Sequence, residues 1–195
     1  MNARERQLTP WSNDTAANRP GEVIYLRDED TGELWCPTSS PIRNYTSRYV
    51  VRHGHGYSQL ENAQHGIATK LDLFVAPNDP VKIARLTLHN QSVKPRRIAV
   101  TQYLELILGQ ARQPNAVRCT MRFDASINGL YAQNSWHTFY PDRVAFSLVQ
   151  QPLNQWTTDR RSFLGSNGRL ERPSGLASGE AFCAASDANG DTCSV

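Results

Sequence analysis

Apolar and polar residues alternate through the middle of the chain. From Gly66 to Val75, the positions Ile67, Thr69, Leu71, Leu73 and Val75 share one face, while Lys70 and Asp72 share the other. This is the period-two pattern of a strand with one buried side. Ala76-Pro77-Asn78-Asp79-Pro80 then supplies turn residues, and alternation resumes from Val81 to Asn90, with Ala84, Leu86 and Leu88 opposed to Arg85, Thr87 and His89. The two runs predict an antiparallel hairpin. After a second turn cluster between Asn90 and Pro95, Ile98, Val100, Leu104, Leu106 and Leu108 recur at even positions up to Gly109. The reading is a meander of three neighbouring strands, 67–75, 81–89 and 97–108. Its predicted core positions are Ile67, Leu71, Leu73, Leu86, Leu88, Val100, Leu104 and Leu106.

Shorter β-like segments flank this centre at 23–26, 48–53, 56–62, 116–123 and 143–149, with turn residues at Asp30-Thr31-Gly32 and Asn128-Gly129. No window carries a helical apolar stripe longer than about two turns. Many strands with turn punctuation and no crossover helices predict an all-β fold, an antiparallel β-sandwich. No internal repeat is visible. From Gly165 the composition shifts to Gly, Ser, Ala and Asn, and after Ala181 no strand pattern survives. The expected organisation is an N-terminal arm over 1–8, a sandwich over 9–180, and a divergent, disordered tail over 181–195.

A length of 195 residues with 39% hydrophobic and 20% charged residues fits one globular domain and excludes a disordered charged chain. No apolar run approaches the roughly 20 residues of a membrane span, and no apolar stretch follows the charged N-terminus as a secretory signal requires. A cytoplasmic location is therefore expected. The net charge of +3 is mild, and Arg96-Arg97 and Arg160-Arg161 are isolated doublets, so a nucleic-acid partner is not expected. Cys36, Cys119, Cys183 and Cys193 form no C-x-x-C pair, which favours reduced thiols over zinc or disulfides.

Two histidines, His53 and His55, flank Gly54. On one strand both rings would face the same side and could share a metal, with Glu61 as a third ligand in a cupin-like enzyme. The spacing to Glu61 is too long for a cupin and the bracketing glycines are missing, so no metal or other cofactor is expected and this stays a minor alternative. Asp187-Ala188-Asn189-Gly190-Asp191 imitates the start of a calcium loop, but Thr192 stands where that loop needs glycine. No Walker loop, dinucleotide loop or nucleophile elbow is present.

Longer motifs are more specific. Thr9-Pro-Trp-Ser-Asn-Asp14, Gly21-Glu-Val-Ile-Tyr-Leu-Arg-Asp-Glu-Asp-Thr-Gly-Glu-Leu-Trp-Cys-Pro-Thr38, Tyr49-Val-Val-Arg-His-Gly-His-Gly-Tyr57, Val100-Thr-Gln-Tyr-Leu-Glu105 and Thr158-Asp-Arg-Arg-Ser-Phe-Leu-Gly-Ser-Asn-Gly168 follow one another in order. Together they resemble the N-terminal super-sandwich of the cellobiose phosphorylase family, above all the phosphorylase-like region of cyclic β-1,2-glucan synthases. The resemblance covers residues about 8–175. It implies a galactose-mutarotase-like super-sandwich whose C-terminal strands are missing here. It also implies a partner (α/α)6 barrel, whose aspartate acid protonates the glycosidic oxygen while phosphate attacks with inversion.

No helical segment of that kind follows, so no catalytic residue is placed on this chain. The expectation is a noncatalytic carbohydrate-active module that supports a catalytic barrel. Trp11, Arg27, Asp28 and Trp35 are the candidates for contact with a sugar or with that barrel: Arg27 and Asp28 can bind hydroxyls or ion-pair with each other, and the tryptophans can stack. β-Linked glucan and the barrel are the expected partners, with a homodimer possible. A purely structural or dimerisation module is the remaining alternative.

Overall fold

The computed structural model describes residues 1–3, 6–11, 16, 19–109, 115, 117–177, 187–189, 193 and 195. The chain forms two compact units, Ile24–Thr101 and Met1–Val23 with Gln102–Val195.

In the first unit, β5 (Tyr49–Gly54), β6 (Tyr57–Gln64), β7 (Ile67–Val75) and β8 (Lys82–Asn90) form an antiparallel meander in the order β5-β6-β7-β8. The β6–β7 connection shows why the sequence turns there. Gln64 pairs with Ile67, leaving His65 and Gly66 as the loop, with φ of 52° and 77°. Two successive positive φ values make the tight turn that matches strand twist, and glycine takes the second without strain. The predicted 67–75/81–89 hairpin is therefore present, closed through the turn after Val75.

The third strand of the predicted meander departs from expectation. β9 (Ile98–Leu104) does not pair with β8; it lies beside β3 (Glu22–Asp28), which also pairs with β4 (Leu34–Trp35), in the order β4-β3-β9. Side chains outside the apolar pattern redirect it. The Asn90 amide donates to Lys94 O (2.7 Å) and its Oδ1 accepts from Ser92 N (3.0 Å), folding the connection on itself. Arg96 then ion-pairs with Asp28, and Glu29 N donates to Arg97 O (2.9 Å). The strand also ends at Leu104 rather than at residue 108.

One face of the β5–β8 sheet covers a cluster of Leu26, Trp35 and Ile67, joined by Ile24, Leu86, Leu88 and Ile98. Among the predicted core positions, Ile67, Leu71, Leu104 and Leu106 are buried and Leu73, Leu86 and Leu88 are half-buried. Val100 is 52% exposed, a correction that follows from its place in the other sheet.

The second unit contains the hairpin β1 (Asn2–Ala3) and β2 (Arg6–Gln7), and a sheet ordered β12-β11-β10-β13. Its strands are β10 (Cys119–Asp124), β11 (Gly129–Asn134), β12 (Val144–Leu148) and β13 (Asp187–Asn189). Leu104, Leu106, Cys119, Met121 and Ala132 form its core, with Met1, Leu8, Leu108 and Ala145 packed against them.

Two short helices, α1 (Arg160–Leu164) and α2 (Ser174–Ala177), follow. Asp159 caps α1 by accepting from Arg161 N (2.9 Å), and Phe163 stacks on Tyr103 with ring centres 5.4 Å apart. Gly165 ends the helix at φ 76°, a positive-φ conformation open to glycine because it has no Cβ.

The tail needs a correction where it is described. β13 pairs antiparallel with β10, and Cys193 and Val195 are buried and exchange backbone hydrogen bonds with Thr157 and Thr158. Backbone pairing needs no apolar alternation, which is why the pattern did not show it. Residues 181–186, 190–192 and 194 lie outside the described residues, and with them Gly190 and Asp191 of the calcium-loop imitation. Among the described residues, no helix is long and apolar enough to cross a membrane.

Candidate functional site

The solvent-facing side of the β5–β8 sheet is built from the positions the apolar pattern leaves over. Strand alternation and register lay Val50, Glu61, Lys70 and Thr87 in one row across the four strands, and Ala63, Ala68 and His89 in the next. The two alanines have side chains too small to fill the sheet surface between longer neighbours. An open depression of about 540 Å³ results, rimmed by Arg48, Arg52, Lys70, Thr87 and His89.

Charges in and beside the depression are unevenly matched. Arg52 Nη1 donates to Glu61 Oε2 (2.7 Å), so that pair is internally satisfied. Asp72, one row further along, accepts from Gln59 Nε2 (2.9 Å) and from Arg85 Nε (3.2 Å) and Nη2 (2.9 Å). The Gln59 amide and the Arg85 guanidinium hold its carboxyl below the usual carboxylate range. Lys70 reaches this engaged carboxylate only at 4.0 Å. The side chains of Arg48 and His89 make no hydrogen bond or ion pair among the described residues. The net result is an excess of cationic and donor groups around a small apolar floor.

The residues singled out from the sequence fall elsewhere. Asp28 is fully buried; its Oδ1 accepts from Asp30 N (2.8 Å) and Thr31 N (3.1 Å), and its Oδ2 accepts from Arg96 Nε (2.7 Å). Burial raises the carboxyl's pKa, but Arg96 and the two backbone N–H groups outweigh it and hold the group below its ordinary value. Of the two readings of Arg27 and Asp28, the mutual ion pair is not formed: Arg27 approaches Glu29 at 3.8 Å.

Trp35 is 1% exposed and packs with Leu26 and Ile67, with its ring centre 5.1 Å from that of His65. Its Nε1 is buried without an acceptor among the described residues. As placed, Trp35 has no free face for a sugar ring. Trp11 is 75% exposed and does. Of the motif around it, Ser12 to Asp14 lie outside the described residues.

The three-ligand metal reading is set aside by the register. His53 pairs with Ser58 and shares the face of Val51, whereas Glu61 pairs with Val50 on the opposite face. His53 Nδ1 lies 2.9 Å from Ser58 Oγ, and Glu61 is taken by Arg52. Parity decides this: positions an even number apart on one strand share a face, but the hairpin between His53 and Glu61 resets the count. Among the described residues no group of His, Cys, Asp and Glu side chains could hold a metal.

A second exposed feature lies in the other unit. Val144, Phe146 and Leu148 alternate along β12, an edge strand, each about half exposed, while the intervening Ala145 packs on the core. Trp136 and Phe139, just before this strand, are more than three-quarters exposed. Sequence reading found the strand at 143–149 but not which of its faces would be left open. The depression was missed because its residues are the polar half of the alternation, which any solvated sheet face would show.

Comparison with known proteins agrees with the architecture. The family model described as "Glycosyl hydrolase 94, supersandwich domain" matches residues 1–195, past the point where the motif resemblance stops. The chain is 35% identical over 194 residues to the cyclic beta-(1,2)-glucan synthase NdvB of Rhizobium meliloti, covering 100% of this chain and 7% of that protein. It is 35% identical over 162 residues to the solabiose phosphorylase of Paenibacillus borealis, covering 80% of this chain and 21% of the enzyme. With the N,N'-diacetylchitobiose phosphorylase of Vibrio furnissii it shares 30% identity over 111 residues, 56% of this chain and 14% of that protein. The chain thus spans about a fifth or less of these relatives' length. With its antiparallel sheets and a match along its whole length, the chain belongs to the glycosyl hydrolase 94 supersandwich domain family.

Proposed function

We propose that this chain is a noncatalytic supersandwich module that supports a separate catalytic domain of a glucan-active phosphorylase or glycosyltransferase and contributes to carbohydrate contact, in the cytoplasm. The observation that carries the reading is the uncovered apolar row Val144, Phe146 and Leu148 on the edge strand β12. Exposed apolar groups gathered on one sheet face are a feature of surfaces that another body covers. Most of the relatives' length lies outside the match, so the occupant we assign is a further domain of the same polypeptide, the (α/α)6 barrel that the family resemblance implies. Cys36 is a buried free thiol, which fits a reducing compartment.

Phosphorolysis needs an acid poised over the leaving oxygen in a cleft that excludes bulk water. The carboxylates of Asp28, Glu61 and Asp72 are each engaged by an arginine of their own unit, which makes them poor candidates for that acid. Purified chain incubated with a β-1,2-glucan and inorganic phosphate is expected to release no sugar 1-phosphate. Phosphate-dependent release that is abolished by Glu61→Gln or by Asp72→Asn would overturn the noncatalytic reading.

A further inference from the structure

We propose that the depression on the solvent-facing side of the β5–β8 sheet binds a saccharide carrying an acidic group, a phosphate ester or a carboxylate. The inference rests on that sheet face alone and is independent of the docking row on β12. Its floor is the cross-strand pair Ala63 and Ala68, a flat apolar step that admits the C–H face of a pyranose ring where longer side chains would bar it. Its rim carries Arg48 and His89, unpaired among the described residues, together with Lys70 and Thr87.

Charge complementarity selects the acidic group. The carboxylate of Glu61 is consumed by Arg52 at 2.7 Å. Asp72 is held by Arg85 and Gln59, leaving Lys70 with one partner at 4.0 Å. Arg48 offers a planar fork suited to a phosphate or carboxylate, and Lys70 a compact second charge. A neutral sugar would leave Arg48 without a counter-charge and Lys70 with its one distant partner. A free oxyanion would satisfy them but leave the apolar floor unused. A ligand with both parts uses the whole depression.

The test titrates the full chain, labelled at alanine methyls, with glucose 6-phosphate, glucuronic acid, glucose and inorganic phosphate. The two acidic sugars are expected to shift the Ala63 and Ala68 methyl resonances. They should bind about tenfold more tightly than glucose, the scale of a charge-assisted hydrogen bond, and more tightly than inorganic phosphate. Raising the salt should weaken them, because the cations are exposed. The double variant R48Q/K70Q should lose the preference for acidic sugars while melting at the parent temperature. Glu61→Gln removes the nearest carboxylate and should instead strengthen their binding, a gain that a folding defect cannot imitate. The proposal is overturned if glucose binds as tightly as the acidic sugars, if inorganic phosphate matches them, if the two methyls do not move, or if Glu61→Gln weakens binding.

Discussion

Asp28 closes the tip of the β3–β4 hairpin by spending both carboxylate oxygens, one on two backbone N–H groups and the other on Arg96. Arg96 in turn donates to His65 O (2.9 Å), so one buried charge ties three turns of the same unit together. Replacing it by asparagine sets an amide N–H₂ against the guanidinium and leaves a largely buried cation uncompensated, a loss of about 3 kcal/mol. The pH dependence has a definite sign. Asp28 titrates below its ordinary value of 3.8 when folded, so its contribution is complete above that value and is lost as the pH falls through the lower, folded one. Urea unfolding followed from pH 6 downward should show the parent losing stability below about pH 4. Asp28→Asn should be weaker at neutral pH and less sensitive in the acid range.

The strands show how far alternation alone can be trusted. Leu71 and Val100 occupy equivalent places in the pattern, yet Leu71 is 2% exposed at the centre of β7 and Val100 is 52% exposed on β9. Leu71→Ala should cost about 2–4 kcal/mol in urea unfolding, because it removes buried methyl groups and leaves a cavity. Val100→Ala should change stability by no more than about 0.5 kcal/mol. Comparable losses at the two positions would show that the sheet assignment of β9 is wrong. The alternation correctly located 67–75 and 81–89, because a strand with one wet face writes its period into the sequence. It placed 97–108 in the wrong sheet because period two says nothing about neighbours. Here the neighbour is chosen by Asn90, Arg96 and Arg97, acting on a loop and on Asp28 to Asp30.

For the whole molecule the open question is what meets its exposed surfaces. β12 is an edge strand without a charged residue among Val144 to Leu148. It therefore lacks the charge or proline that commonly guards an edge against pairing with another chain. The double substitution F146S/L148S should leave the melting transition of the isolated chain nearly unchanged, since both side chains are about half exposed. It should lower self-association measured by light scattering, and it should weaken capture of a separately produced catalytic domain. Unchanged self-association together with unchanged capture would remove the apolar row from the docking surface.

The sequence by itself determined the all-β class, the β7–β8 hairpin and the family. Short-range alternation, turn residues such as Ala76 to Pro80, and contiguous motifs are all written in consecutive positions. Only the tertiary structure decided which residues are buried and which line an open sheet face. Asp28 and Trp35, prominent in the motifs, turned inward because a buried ion pair and a packed core claimed them. His53 and Glu61 were separated by strand parity across a hairpin. The depression arose from Ala63 and Ala68 meeting across two strands, a juxtaposition set by register. A depression assembled from four strands has no contiguous trace, since each strand contributes only two or three ordinary residues to it.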